Sequence, residues 1–210
     1  MTVSGLTGSF WMGFHSSRTF LRFRGMGLLK VMEFKHNWNE SAVREFYATL
    51  EVDMEDETFA WTTGRMSFAT SFREFASLIG LDYEEMMTRR SMKGIPSMQE
   101  HETYIFYSTG EHQHGASKGL KRYPSLIFGT MSQTLMPKVG NSDVVRFPYY
   151  EVIWAILNGG KLDMVEWMVA RMMECKLDRS GAMVYQPYIT ALIRSKTSLI
   201  GVDEILHKSF

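Results

Sequence analysis

The sequence predicts a mainly α protein (α+β minor), a compact helical domain with a small antiparallel β-hairpin or sheet near residues 50–68. Three observations predict it. Apolar residues recur at three- and four-residue intervals through most of the 210-residue chain, the spacing of a buried helical face. Helix punctuation brackets those stretches, with capping spacings or Pro at their starts and Gly at their stops. Between residues 50 and 68 the period falls to two, and turn signals separate the short runs.

The signals are densest over residues 37–81. Asn37 and Glu40 stand at the spacing of a capping box, and Val43, Phe46, Tyr47 and Leu50 follow on one helical face. Residues 50–54 then alternate in a strand-like way. Glu55, Asp56 and Glu57 form an acidic turn ahead of Thr58, Phe59, Ala60 and Trp61, and Thr63 and Gly64 mark a second turn before Arg65, Met66, Ser67 and Phe68. Ser71 and Glu74 repeat the capping-box spacing for a helix bearing Phe72, Phe75, Ala76 and Ile79, stopped by Gly80.

The rest of the chain is organised around that stretch. Residues 1–35 read as a poorly structured N-terminal segment, with a short helix or strand between residues 20 and 34 as its one ordered piece. Residues 36–200 read as one mainly helical domain, residues 82–121 as a loop-rich insertion within it, and residues 201–210 as a tail. Inside the insertion a short helix is expected near residues 83–87 and an extended piece over residues 104–107. Pro124 and Ser125 open a helix carrying Leu126, Ile127, Met131, Leu135 and Met136 up to Pro137. Pro148 opens the most apolar helix, which ends at Gly159 and Gly160. Asp163 suits the positive end of the next helix, whose inward stripe is Val165, Met168, Val169 and Met172, packed antiparallel on its predecessor. Pro187 opens the last one, with Tyr188, Ala191 and Leu192. All these stripes are expected to close over a single interior.

Composition excludes several classes. With 45% hydrophobic and 22% charged residues the chain has the apolar content to fold. Lys plus Arg and Asp plus Glu are equal at 23 each, so no net field gathers polyanions and any nucleic-acid contact must come from a local patch. The lone Cys175 rules out an internal disulfide or a Cys-based zinc site and reads as a buried small hydrophobe in a reducing compartment. No apolar run is long enough to cross a bilayer, so the chain reads as soluble with no membrane partner. Residues 1–31 hold Arg18, Arg22, Arg24 and Lys30 but no acid, as an organellar transit peptide does, although their glycines break a long amphipathic helix. Cytoplasmic or nuclear residence is favoured over organellar targeting. The 17 methionines read mainly as core packing.

No catalytic or ligand signature emerges, and no cofactor or metal is expected. The glycine pairs do not lie between strand and helix as a phosphate cradle requires. Asp53, Glu55, Asp56 and Glu57 lack the spacing of a calcium loop and read as a solvated turn. His112 and His114, near Glu111 and His101, could share a metal if held on a strand, but on a glycine-flanked loop they read as exposed polar groups. Glu40 and Arg44 read as an ion pair at helical spacing. Two basic clusters remain: Arg89, Arg90 and Lys93, and then Lys118, Lys121 and Arg122 beside Tyr123. The second is the candidate nucleic-acid contact, cations for phosphates and a ring for a base.

In their order, the blocks NWNESAVREFYATL, FAWTTG, SFREFASLIGL, TLMPKVGNSDVVRFPYYEVIWAIL and YQPYITALI resemble a plant-specific, retrotransposon-derived domain, the plant transposon protein domain family. The resemblance covers residues 37–196. It implies a mainly helical domain encoded by mobile-element-derived genes and supplies no functional residues. The expectation is a non-enzymatic structural or interaction domain that binds a protein partner or itself. The alternative is a nucleic-acid-binding module using Lys118, Lys121, Arg122 and Tyr123.

Overall fold

The computed structural model describes residues 18–34, 36–84, 100–108, 114–136, 143–160, 162–177 and 183–198. It is mainly helical with one small antiparallel sheet, as the periodicity predicts. Packing divides the chain into two compact units, each built from two separate stretches. One is Met1–Leu29 with Arg89–Leu162, the other Lys30–Thr88 with Asp163–Phe210. Each unit is described by itself. Helical stripes reveal that a face is buried, not which partner buries it.

The second unit contains α3 (Glu40–Thr49), β1 (Glu51–Asp53), β2 (Thr58–Thr63), β3 (Met66–Ser71), α4 (Phe72–Ile79), α8 (Met164–Leu177) and α9 (Gln186–Lys196). The helix α3 is capped by Asn39, whose Oδ1 accepts from the Ala42 N–H at 2.8 Å. This corrects the expected Asn37/Glu40 box. Glu40 is instead the first helical residue and pairs with Arg44 at 2.6 Å. The Ser71/Glu74 box forms as predicted, and Gly80 ends α4 in the left-handed region at φ 83°.

The sheet has the order β1-β2-β3, with Phe59 opposite Val52 and Thr70, and Trp61 opposite Phe68. Gly64 and Arg65 join β2 to β3 with φ 57° and 68°, the signs of the two-residue turn that matches strand twist. Ahead of β1, at the last residue of α3, the Thr49 hydroxyl extends the ladder. It accepts from the Thr62 N–H at 2.8 Å and lies 3.2 Å from the Thr62 carbonyl. The acidic turn is a polar loop, with Asp53 Oδ1 accepting from the N–H groups of Glu55 (2.9 Å) and Asp56 (3.0 Å).

Alternation along β2 directs Phe59 and Trp61 onto α3 and α4. Phe46 meets Trp61 at 5.5 Å between ring centroids, and Phe59 meets Phe75 edge-on at 5.5 Å. Burying each such ring stabilises the unit by roughly 1.5–3 kcal/mol. Helix α8 adds the buried Met164, Val165, Met168, Val169, Met172 and Cys175, and α9 adds Ile189, Leu192 and Ile193. Long-range polar contacts tie the two stretches together: the Tyr47 hydroxyl donates to the Val184 carbonyl at 2.7 Å, and the Tyr188 hydroxyl to that of Val31 at 2.8 Å. Burial, then the Arg194 charge, holds the His36 imidazole below its ordinary value.

The first unit contains α1 (Arg18–Gly25), α5 (Glu100–Thr103), two 3-10 turns (Tyr104–Phe106 and Ser117–Gly119), α6 (Arg122–Gln133) and α7 (Phe147–Asn158). Of residues 1–35, residues 1–17 and 35 lie outside the described residues, and the helix α1 is an ordered piece overlapping the short helix or strand expected between residues 20 and 34. It packs against α6 and α7, with Phe23 fully buried and Arg22 donating to the Ile156 carbonyl at 2.9 Å. Tertiary burial rather than intrinsic propensity forms this short helix, which ends at Gly25. Residues 29–32 form the short helix α2 (Leu29–Met32).

Two further boundaries differ from the sequence reading. Helix α6 starts at Arg122 and ends at Gln133, so Leu135 and Met136 are buried in the turn beyond it rather than on its stripe. Residues 104–106 form a 3-10 turn in place of an extended piece. Helices α7 and α8 fall in different units. Of the stripe residues, Tyr47, Phe75 and Met168 are buried in the second unit, whereas Trp154 is half-buried in the first.

Candidate functional site

The basic-aromatic cluster lies in the first unit, where two short segments run side by side. Tyr107 bridges Leu120, the Ser108 N–H donates to the Gly119 carbonyl at 3.0 Å, and the Lys121 N–H donates to that of Phe106 at 2.7 Å. Lys121 adds a second tie through its side chain, Nζ donating to the Ile105 carbonyl at 2.7 Å. These bonds bring Tyr104 and Ile105 alongside the start of α6.

All four sequence-predicted residues are exposed: Lys118 on the 3-10 turn, Lys121 at the N-cap of α6, and Arg122 and Tyr123 in its first turn. Tyr123 is 48% exposed, and Tyr104 and Ile105 are 49% and 57% exposed. The result is a surface with three cations and two accessible phenol rings. Glu102, exposed two residues before Tyr104, offsets part of that charge. Sequence reading missed Tyr104 and Ile105. Their signal was a pair of large side chains in a polar stretch, which an extended assignment would have divided between two faces.

A buried aromatic cluster holds the surface from beneath. The rings of Phe106 and Tyr150 lie nearly parallel at 5.9 Å, and His114 stacks near Tyr150 at 6.0 Å. His114 also meets the Tyr104 ring edge-on at 4.8 Å, and its Nε2 lies 2.6 Å from the buried Thr103 hydroxyl. The Tyr107 and Tyr150 hydroxyls are 2.5 Å apart, and the Gly115 N–H donates to Tyr107 at 2.9 Å. Burial, then the hydrogen bond with Tyr107, pushes the Tyr150 phenol well above its ordinary value, so it stays protonated. This fixes Tyr104 through its neighbours on both sides.

Chemically, such a surface can lay phosphates against Lys118, Lys121 and Arg122 while a base stacks on an exposed ring, a contact worth roughly 1–3 kcal/mol per base. The other basic cluster, Arg89, Arg90 and Lys93, lies outside the described residues. So do Glu111 and His112 of the histidine group, and the side chain of His101. Among the described residues, no three His, Cys, Asp or Glu side chains gather as metal ligands, and no helix is long and apolar enough to cross a membrane. No family model, curated protein or solved structure matches this chain.

Proposed function

We propose that this protein is a non-enzymatic interaction domain that associates with copies of itself, derived from a mobile element of the plant retrotransposon type. The observation that carries the interaction reading is the set of large apolar side chains at the surface among the described residues: Leu21, Tyr104, Ile105, Tyr123 and Val144 in the first unit, Met66 and Leu177 in the second. The mobile-element origin rests on the resemblance of the sequence blocks. Light scattering on the purified full chain tests the function: the mass rises with concentration, and a constant monomer mass at high concentration refutes it.

The second reading is a single-stranded nucleic-acid contact, supported by the joint exposure of Lys118, Lys121, Arg122 and Tyr123 beside Tyr104. Neutralising the three cations to Gln is expected to weaken oligonucleotide binding and to flatten its salt dependence, read by fluorescence anisotropy. Flat titrations of the wild-type chain at low salt dismiss this reading.

A further inference from the structure

Strand β3 is an edge of the sheet, and among the described residues no strand pairs with its outer side. The Phe72 N–H donates to the Glu57 carbonyl at 2.8 Å, which sets the phase of the β2–β3 ladder. Continuing the register, Thr70, Phe68 and Met66 turn their backbone groups toward β2, while Ser71, Ala69 and Ser67 turn theirs outward. Of the outward groups, the Ser71 N–H is satisfied by Glu74 Oε2 at 3.3 Å. Those of Ser67 and Ala69 face solvent, both residues being exposed.

Protein edges are usually defended by a charge, a proline or a bulge. The run Met66-Ser67-Phe68-Ala69-Thr70 has none of these. On the face it shares with Trp61, cover thins along the strand: Thr70 is buried, Phe68 half-buried against Trp61 at 5.7 Å, and Met66 45% exposed. The exposed apolar strip is thus continuous with the core of the second unit.

We propose that two copies of the chain pair through this edge, β3 against β3 in antiparallel fashion about a two-fold axis at Phe68. The proposal rests on the self-association reading and names its surface. Only this register uses both open positions. Centred on Phe68, Ser67 of one copy exchanges backbone hydrogen bonds with Ala69 of the other, and the reverse. Centring on Ala69 would require the Ser71 N–H, already bound to Glu74. Centring on Ser67 would recruit Arg65, which sits in the turn at φ 68°. The Phe68 register also sets Phe68 against Phe68 and Met66 against Thr70, so the uncovered strip closes on itself. Arg65 falls opposite Ser71, and no like charges meet across the seam.

Two variants of the full chain test it, each checked for its fold by circular dichroism. S67K/A69K places lysines on both sides of the seam while leaving the strand's inward face intact. Its dissociation constant, from sedimentation over a concentration series, is expected to rise at least tenfold. F68C, in a C175A background, is expected to form a disulfide dimer under mild oxidation, because residues facing each other at a non-hydrogen-bonded pair lie about 4.5 Å apart at Cα. M66C in the same background is expected not to cross-link, its copies being offset by about 14 Å along the strand. A dimer that survives S67K/A69K, with no F68C cross-link, overturns the β3 seam and leaves self-association standing through another surface. Cross-linking of M66C in preference to F68C overturns the register and with it the proposal. A wild-type chain that stays monomeric overturns both.

Discussion

Individual backbone positions differ in what they tolerate, and two glycines make the comparison. Both Gly80 and Gly159 end helices in the left-handed region, at φ 83° and 68°. A Cβ at Gly80 meets the Lys30 Cβ at 3.1 Å, whereas at Gly159 nothing lies within 4 Å. Gly159→Ala is therefore expected to cost only the conformational penalty, about 1 kcal/mol, and Gly80→Ala about 1–2 kcal/mol, because Lys30 must also shift. Urea denaturation midpoints compare the two, and equal losses would show that the contact carries no energy. Gly80 as a stop was legible in the sequence, since a helical stripe ended there with Leu81 beyond it. The Lys30 contact was not, because it joins residues 50 positions apart.

Among the elements, legibility followed locality. The Ser71/Glu74 box, the two turns of the sheet and the start of α8 at Asp163 all rest on contacts within a few residues, and each was readable. The Asp163 Oδ1 accepts from the Glu166 N–H at 2.9 Å. Asn39 displaced Asn37 as the cap of α3 because its own N–H meets the Thr190 hydroxyl at 3.2 Å, a partner no local window contains. The exposed patch was half legible for the same reason: the run from Lys118 to Tyr123 is contiguous, whereas Tyr104 arrives through a hydrogen bond between segments. Ser71→Ala removes a cap and is expected to lower stability by about 1 kcal/mol. Glu74 adds a pH dependence. Its carboxylate is held below the ordinary 4.5, first by the Thr70 hydroxyl and then by Lys196. A depressed carboxylate contributes stability above that ordinary value and loses it as pH falls through the folded value. Thermal melts of E74Q between pH 6 and 3 should decline less steeply than those of the wild type, and parallel curves would remove Glu74 from the acid response.

On the scale of the whole chain, each unit is discontinuous, and that was invisible to reading in sequence order. Phe23 lies in an acid-free N-terminus that resembled a leader, while its burial on α1, which packs against α6 and α7, depends on residues a hundred positions later. Phe23→Ala is expected to cost about 3 kcal/mol or more, in line with other buried aromatics. Hydrogen exchange in α7 checks it, and unchanged protection there would return residues 18–25 to the status of an appendage.

The same discontinuity sets a schedule during synthesis. Residues 30–88 emerge with the aromatic faces of α3, the sheet and α4 in place, but α8 and α9 that cover them follow only after the whole stretch Arg89–Leu162 has been made. At a ribosomal pace of 5–20 residues per second, the wait until Lys196 is roughly 5–20 s. For that interval the sides of α3 and α4 that α8 and α9 will cover stay bare on the nascent chain, a natural landing place for a holding chaperone.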